Sequence, residues 1–522
     1  MPRRRDDPAT LAIFDALLAS VAEEMGVTLG RTAHSPNIKE RRDYSCAVFD
    51  AEGRLAAQAA HIPVHLGAMP YAVRAVQVLA PFAPGDIVIF NDPYLGGTHL
   101  PDVSLISPIF AGRTILGWVA SRAHHADVGG MSPGSMPVAT ELYQEGMIIP
   151  PIKLYERGRL NSGVYDLMLR NMRGPEQRRG DFDAQIAANR TGEQRFRELI
   201  ERYGAPALRR QMAALMDYAE RMMRTALRRV PEGSYEFEDY LDDDGESPEP
   251  VPIRVQITAA DGRLHCDFSG SSAERAGSIN AVATVTHSAV YYVARCLLGE
   301  DVPSNDGCFR PVTLTLPPAS VVAATPPHAV SAGNVENSQR ITDVVLGALA
   351  QALPGLIPAA SSGTMNNLTV GGVDPRSGRQ YAYYETICGG AGAGPRGPGA
   401  SAIQTHMTNT MNTPAEALEL AYPFRILEYS IRSDSSGKGR HAGGEGVVRA
   451  YEFLAQATAT VVSERRQIAP WGLQGGGPGQ RGRNRLTRAD GTMEELPGKF
   501  TRRMQPGDVL TIETPGGGGW GG

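Results

Sequence analysis

The sequence predicts an α+β protein, a large mixed multi-layer body with a metal-bearing N-terminal part, a helical segment and antiparallel β-rich regions. Three observations carry that expectation. Between about residues 28 and 180, short apolar runs such as DIVIF (86–90) and VSLISPIF (103–110) alternate with stretches dense in Gly, Pro, His and Asp. Buried strands joined by functional loops read this way. From 181 to 230 the apolar residues recur at three-and-four spacing, which is helical. Beyond 231, YEFEDYL (235–241), VPIRVQIT (251–258) and LHCDFSG (264–270) alternate apolar with polar residues, with Asp-Gly pairs at 244–245 and 261–262. Meandering antiparallel strands fit that pattern.

In chain order, Leu11, Phe14, Leu18, Val21 and Met25 recur at helical spacing with acidic residues between them. An amphipathic helix is expected there, not a signal peptide, although Arg3 to Arg5 precede it. Gly204 and Pro206 divide the 181–230 segment into two helices. Further helices are predicted over 281–298 and 337–353, and 440–522 returns to short strands and glycine-loaded turns. The tracts GGAGAGPRGPG (389–399) and GGGGWGG (516–522) read as too flexible for ordinary elements. The first could wrap an anion or form a structural loop. A chain of 522 residues exceeds what one core usually supports. It divides into a catalytic part (1–180), a helical segment (181–230), a β-rich region (231–330) and a mixed C-terminal part (331–522).

A net charge of -5 offers no broad basic surface, so nucleic acid is not an expected partner. No apolar run is long enough to span a bilayer. The five cysteines, Cys46, Cys266, Cys296, Cys308 and Cys388, are odd in number and lack a close pair. Reduced thiols in the cytoplasm are the expectation.

The chemistry concentrates at His99, Asp102 and His124, in GGTHLPDV and SRAHHADVGG. An imidazole and a carboxylate three residues apart can address one ion from a short loop, and a second imidazole from the next element would complete a three-ligand face. A hydrogen-bonded His–Asp pair in a loop explains the same spacing, and spacing alone leaves both readings open. No Gly-x-x-x-x-Gly-Lys-Ser/Thr motif occurs in the sequence, so a phosphate-cradling P-loop is absent.

Taken in order, several segments resemble the B subunits of the hydantoinase B and oxoprolinase family, whose relatives include acetone carboxylase alpha subunits and the caprolactamase B subunit. They are HSPNIKERRDYSCAVFDAEGRLAAQAAHIPVHLGAMP (34–70), GDIVIFNDPYLGGTHLPDVSLISPIF (85–110), SRAHHADVGGMSPGSMP (121–137), ELYQEGMIIPPIKLYERG (141–158), DFDAQIAANRTGEQR (181–195), NVENSQRITDVVLGAL (334–349), THMTNTMNTPAEALE (405–419) and GDVLTIETPGGGGWG (507–521). The resemblance implies one divalent metal, manganese or zinc, on His99, Asp102 and His124. It also implies that ATP-Mg binds a separate hydantoinase A-type subunit in a hetero-oligomer such as A2B2, which accounts for the missing P-loop. The reaction implied is ATP-dependent opening of a hydantoin, 5-oxoproline or lactam ring. The carboxylase branch, joining bicarbonate to a ketone, and a structural partner subunit with a non-catalytic metal are the alternatives.

By the same resemblance Asp43 is a carboxylate near the metal that orients or deprotonates the attacking water; an ion pair with Arg41 or Arg42 is the plainer reading. His125 follows His124, and on a strand the two side chains face opposite ways. His125 is therefore expected either to support the ligands from behind or to transfer protons, with Asp127 orienting one of the imidazoles from the second shell. His61 and His65 are four apart, but Pro63 argues against a helix, so channel lining or a structural hydrogen bond is expected. Asn91 and Asp92 are expected to shape the loop that carries His99. Glu145 is expected at the surface. His406, Glu336, Asn337 and Arg340 are assigned to substrate or to the partner interface without distinction.

Overall fold

The computed structural model describes residues 7–59 and 61–522; the Arg3 to Arg5 cluster lies outside the described residues. Strands and helices mix throughout, as the α+β class requires. The N-terminal amphipathic pattern forms the helix Pro8–Thr32, capped by the Asp7 carboxylate and burying Leu11, Phe14, Leu18, Val21, Met25 and Leu29. Among the described residues, no helix is long and apolar enough to cross a membrane.

A seven-stranded antiparallel sheet dominates the N-terminal part, in the order Leu55–Gln58, Tyr44–Asp50, Thr114–His124, Asp102–Ala111, Ile87–Phe90, Ile152–Glu156, Arg159–Leu160. Its central strands are buried on both faces, which is why runs such as SCAVF lack polar alternation. One face packs on Pro8–Thr32 and on the helices Pro175–Tyr203 and Ala205–Leu227, through Cys46, Val48, Val119, Phe196 and Met216. Gly204, at φ 79, turns the chain between the last two helices. The other face enters a core that runs from Ala47 to Val462 and draws side chains from all four stretches of the sequence.

Pro175–Tyr203 departs from a simple apolar stripe. Its buried face carries Arg178, Asp181, Gln185 and Asn189, which satisfy backbone and side-chain groups that burial would otherwise strand. Asp181 accepts from the amides of His34 and Ser35, Gln185 donates to the Val103 carbonyl, and Asn189 donates to Ser107.

The β-rich region forms a four-stranded sheet in which Gly233–Leu241, Val251–Ala260 and Arg263–Asp267 meander antiparallel, as expected; the edge strand Val312–Thr315 joins parallel. The predicted helices appear as Ala283–Cys296 and Ser338–Ala352, the second entered through a π-helical turn, Gly333–Asn337. Two further sheets of four and five strands enclose a separate core around Tyr383, Phe424, Tyr451 and Phe500. Buried ion pairs tie these sheets to the middle one: Arg465 bridges Asp239 and Asp343, and Lys499 bridges Asp243 and Glu464.

The two glycine tracts are not loose. Ala393 donates to Gly518 across the two tracts, Gly390 donates to Pro515 beside the second, and Gly444 joins them by accepting from Gly517 and donating to Ala391, so backbone hydrogen bonds hold both tracts in place. Glycine is needed for approach distance rather than for flexibility: a Cβ at Gly517 would lie 2.0 Å from the Ala391 carbonyl oxygen. Gly517→Ala is expected to lower the unfolding free energy by about 1–3 kcal/mol, measured by urea denaturation.

Candidate metal centre

A hairpin builds the site. Asp102–Ala111 and Thr114–His124 are joined by the two-residue loop Gly112–Arg113, and their pairing sets Asp102 directly opposite His124 at the open end. His99 arrives from the preceding loop, where the Asp102 amide donates to the His99 carbonyl. Asn91 holds that loop by donating to the carbonyls of Leu100 and Met147 and accepting from the Ile149 amide, while Asp92 caps the turn at Tyr94. The Asx pair shapes the loop as its sequence suggests.

The Asp102 carboxylate divides its two oxygens. Oδ2 accepts from Thr98 Oγ1 at 2.6 Å and from Asn334 Nδ2 at 3.4 Å, and lies 3.3 Å from His65 Nε2. Oδ1 faces His99 Nε2 at 3.3 Å and His124 Nδ1 at 3.5 Å. Burial alone would raise the carboxyl, but the imidazoles of His99 and His65 and the hydrogen bonds from His124 and His65 outweigh it and hold Asp102 well below the ordinary range. Burial pushes His124 down, against the pull of Asp102 and Asp43, and so favours the neutral ring that a metal requires.

The residues fit a metal on their own chemistry. One nitrogen from each imidazole and one carboxylate oxygen lie within 4.8 Å of one another, all buried. Ligands about 2 Å from a tetrahedral ion stand roughly 3.3 Å apart, close to the two distances at Oδ1. Both ring nitrogens of His99, and Nε2 of His124, are buried with no hydrogen-bond partner among the described residues. Polar atoms left so are costly unless something else engages them.

Asp43 borders the same small cavity, of about 20 Å³, with His65, Asp102 and His124. Its backbone carbonyl accepts from the His124 amide, and burial raises its carboxyl against the charges of His124 and Arg41. Tyr384 stacks on the His124 ring at 4.2 Å between centroids. Its hydroxyl donates to Asn367, which in turn donates to Glu336.

His125 is not brought into this cluster. Strand alternation turns its ring the other way, onto Phe182 at 4.2 Å and against Gln185 Oε1 at 2.8 Å from Nε2. Asp127 is also placed elsewhere: its carboxylate accepts from the amides of Gly129, Gly134 and Arg173 and pairs with the Arg173 guanidinium. Glu145, expected at the surface, is fully buried; Oε1 accepts from Val330 and Ser331, and burial lifts its pKa to about 7. Pro63 starts a 3-10 turn, Pro63–His65, so His61 and His65 share no α-helical face. His65 nonetheless reaches Asp102, with Nδ1 at 2.7 Å from Ser45 Oγ. Glu336 and Arg340 are buried, Glu336 beneath Asn367 and Arg340 beside Asp239, Asp343 and Glu464. Asn337 donates to the carbonyls of Ile279 and Val321, and His406 lies 3.8 Å from Asp343. Sequence reasoning did not reach Thr98, Asn334 or Tyr384, because only packing brings them to Asp102 and His124.

The profile of the family Hydantoinase B/oxoprolinase matches residues 7–522. An uncharacterised protein of Methanocaldococcus jannaschii is 40% identical, over 99% of this chain and 91% of that one. The 5-oxoprolinase of Saccharomyces cerevisiae is also 40% identical over 99% of this chain, which spans only 42% of that protein's length. Among solved structures, the ATP-dependent caprolactamase from Pseudomonas jessenii superposes with a TM-score of 0.89 at 30% identity, covering 99% of this chain and 91% of that one. Acetone carboxylase superposes at 0.92 over 99% of this chain and 76% of its own, but at 19% identity, a likeness of fold. With profile, relatives and architecture agreeing along the chain, this protein belongs to the hydantoinase B/oxoprolinase family.

Proposed function

We propose that this chain is the metal-bearing B subunit of an ATP-dependent cyclic-amide hydrolase that works with an ATP-binding A-type subunit. The meeting of His99, Asp102 and His124 in one buried cluster carries the reading. The names of two relatives, a 5-oxoprolinase and an ATP-dependent caprolactamase, support the reaction class. The remainder of the longer oxoprolinase chains would correspond to the partner.

In this reading the partner transfers a phosphoryl group from ATP to the amide oxygen, releasing ADP, and the ring carbon becomes a competent electrophile. Water adds to that carbon, the ring C–N bond breaks with a proton going to nitrogen, and a second water releases phosphate and leaves the carboxylate. His99, Asp102 and His124 would hold one manganese or zinc ion, which supplies a water of lowered pKa and polarises an oxygen. Asp43 takes the water's proton, and a carboxylate raised by burial is a better base than an exposed one. Thr98, His65 and Asn334 keep the Asp102 oxygens in place. Asp43 carries proton transfer rather than His125, whose ring is engaged by Gln185 and Phe182. A cavity of about 20 Å³ holds little more than one water, so a ring substrate enters only when wall residues such as Met365 and Met407 move.

Three outcomes test this reading. His99→Ala and His124→Ala are expected to cut metal occupancy after dialysis by at least about tenfold and to lower apo stability by about 1–3 kcal/mol, since each leaves a cavity and removes an imidazole that faces the buried Asp102 carboxylate. Asp43→Asn is expected to keep the metal but lose about 10²–10⁴-fold in turnover. With a co-expressed A-type subunit, hydantoins, 5-oxoproline or lactams should open only in the presence of ATP. Turnover by the lone chain without ATP, or labelled bicarbonate in the product, overturns the proposal.

A further inference from the structure

A second cavity of about 580 Å³ opens next to the metal centre. Three segments line both spaces: Asp43, Ile62 and Thr408 line the inner cavity, and their chain neighbours Tyr44, His61 and Asn409 line the outer one. The wall between the two is therefore a single residue thick at three places. Asn409 Nδ2 donates to the His61 carbonyl and ties two of those places together.

The charges of the outer cavity are lopsided. Arg31, Lys39 and Arg42 border it against one carboxylate, Glu23. All three cations are exposed, and Lys39 also lies beside the Glu40 carboxylate, which is not part of the cavity lining. Arg42 stands at φ 57, a left-handed conformation that a long side chain rarely adopts and that persists only when the surroundings impose it. Here it sets Arg42 at the outer cavity and the following Asp43 at the inner one.

The cavity is also made at a cost in helix stability. Gly26 and Gly30 lie within Pro8–Thr32, where glycine costs about 1 kcal/mol relative to alanine. A Cβ at Gly26 would meet the His61 ring at 2.5 Å, and one at Gly30 would meet the Tyr44 hydroxyl at 2.7 Å. The two glycines leave room for the inner wall of the cavity.

We infer that this cavity is a docking site for a phosphoryl dianion, the phosphate of an O-phosphorylated cyclic amide held beside the metal centre. Three cations against one carboxylate leave an excess of two positive charges, which matches a dianion better than a simple carboxylate. The phosphoryl source rests on the reaction proposed above; the anion site itself does not.

The test uses the full metal-loaded chain without a partner, titrated with inorganic phosphate and followed by 31P line broadening. Saturable binding is expected, with affinity falling about tenfold or more in the double variant Arg31→Gln, Lys39→Gln at unchanged metal content. Arg42→Asn, which tolerates the left-handed backbone, should weaken phosphate in the same direction if the double variant folds poorly. Absence of saturable binding, or equal binding by the folded variants, overturns the site. ATP competing at far lower concentration than phosphate would make it a nucleotide site and overturn it equally. In the assembled complex the double variant should lower kcat for ring opening and release ADP in excess of ring opened, with KM for the cyclic amide little changed. A complex that opens no ring while the lone chain still binds phosphate removes the reaction and leaves the site; normal kinetics in the variant removes the site and leaves the reaction.

Discussion

The register of one hairpin governs the centre of this protein. The short loop at Gly112–Arg113, together with a one-residue register shift between Ile109 and Phe110, sets which residues of Asp102–Ala111 and Thr114–His124 face each other, and so places Asp102 opposite His124. A slip of one residue would turn every side chain of a strand to the other face of the sheet. The imidazole would then leave the carboxylate, and the apolar residues that alternate with it would leave their cores. Packing on both faces thus protects the pairing on which the site depends.

The second requirement is that a buried carboxylate be oriented. Thr98, His65 and Asn334 take one oxygen of Asp102, and the other is left toward His99 and His124. These supporting groups come from the loop before the hairpin, from the turn after Pro63 and from the π-helical turn before Ser338–Ala352. The helix Pro175–Tyr203 adds a row of polar side chains that fixes the backbone behind the hairpin. Distant parts of the chain hold one side chain, and a shared core extending to Val462 binds those parts together. The glycine tracts extend the same logic at the C-terminal end, where backbones meet too closely for any Cβ.

Much of this was legible in the residues. The α+β class, the N-terminal helix, the two helices broken at Gly204, the antiparallel meander and the helices near 281–298 and 337–353 follow from periods of 3.6 and 2.0 and from turn chemistry. The candidate ligands stood out because histidines are few, 11 in the chain, and here two of them fall close to a carboxylate. Glycine density, by contrast, misled: it signals either flexibility or close approach, and local sequence does not distinguish them. The burial of Glu145 was equally hidden, since its partners Val330 and Ser331 lie far away in the chain.

What the sequence determined by itself was which residues can chelate and which segments are strands or helices, because those properties depend on side-chain chemistry and local spacing. Only tertiary structure decided that His65 supports Asp102, that Tyr384 covers His124, and that His125 turns away toward Gln185. Each of those outcomes depends on which face of an element meets which neighbour, and that is settled by packing between segments tens to hundreds of residues apart.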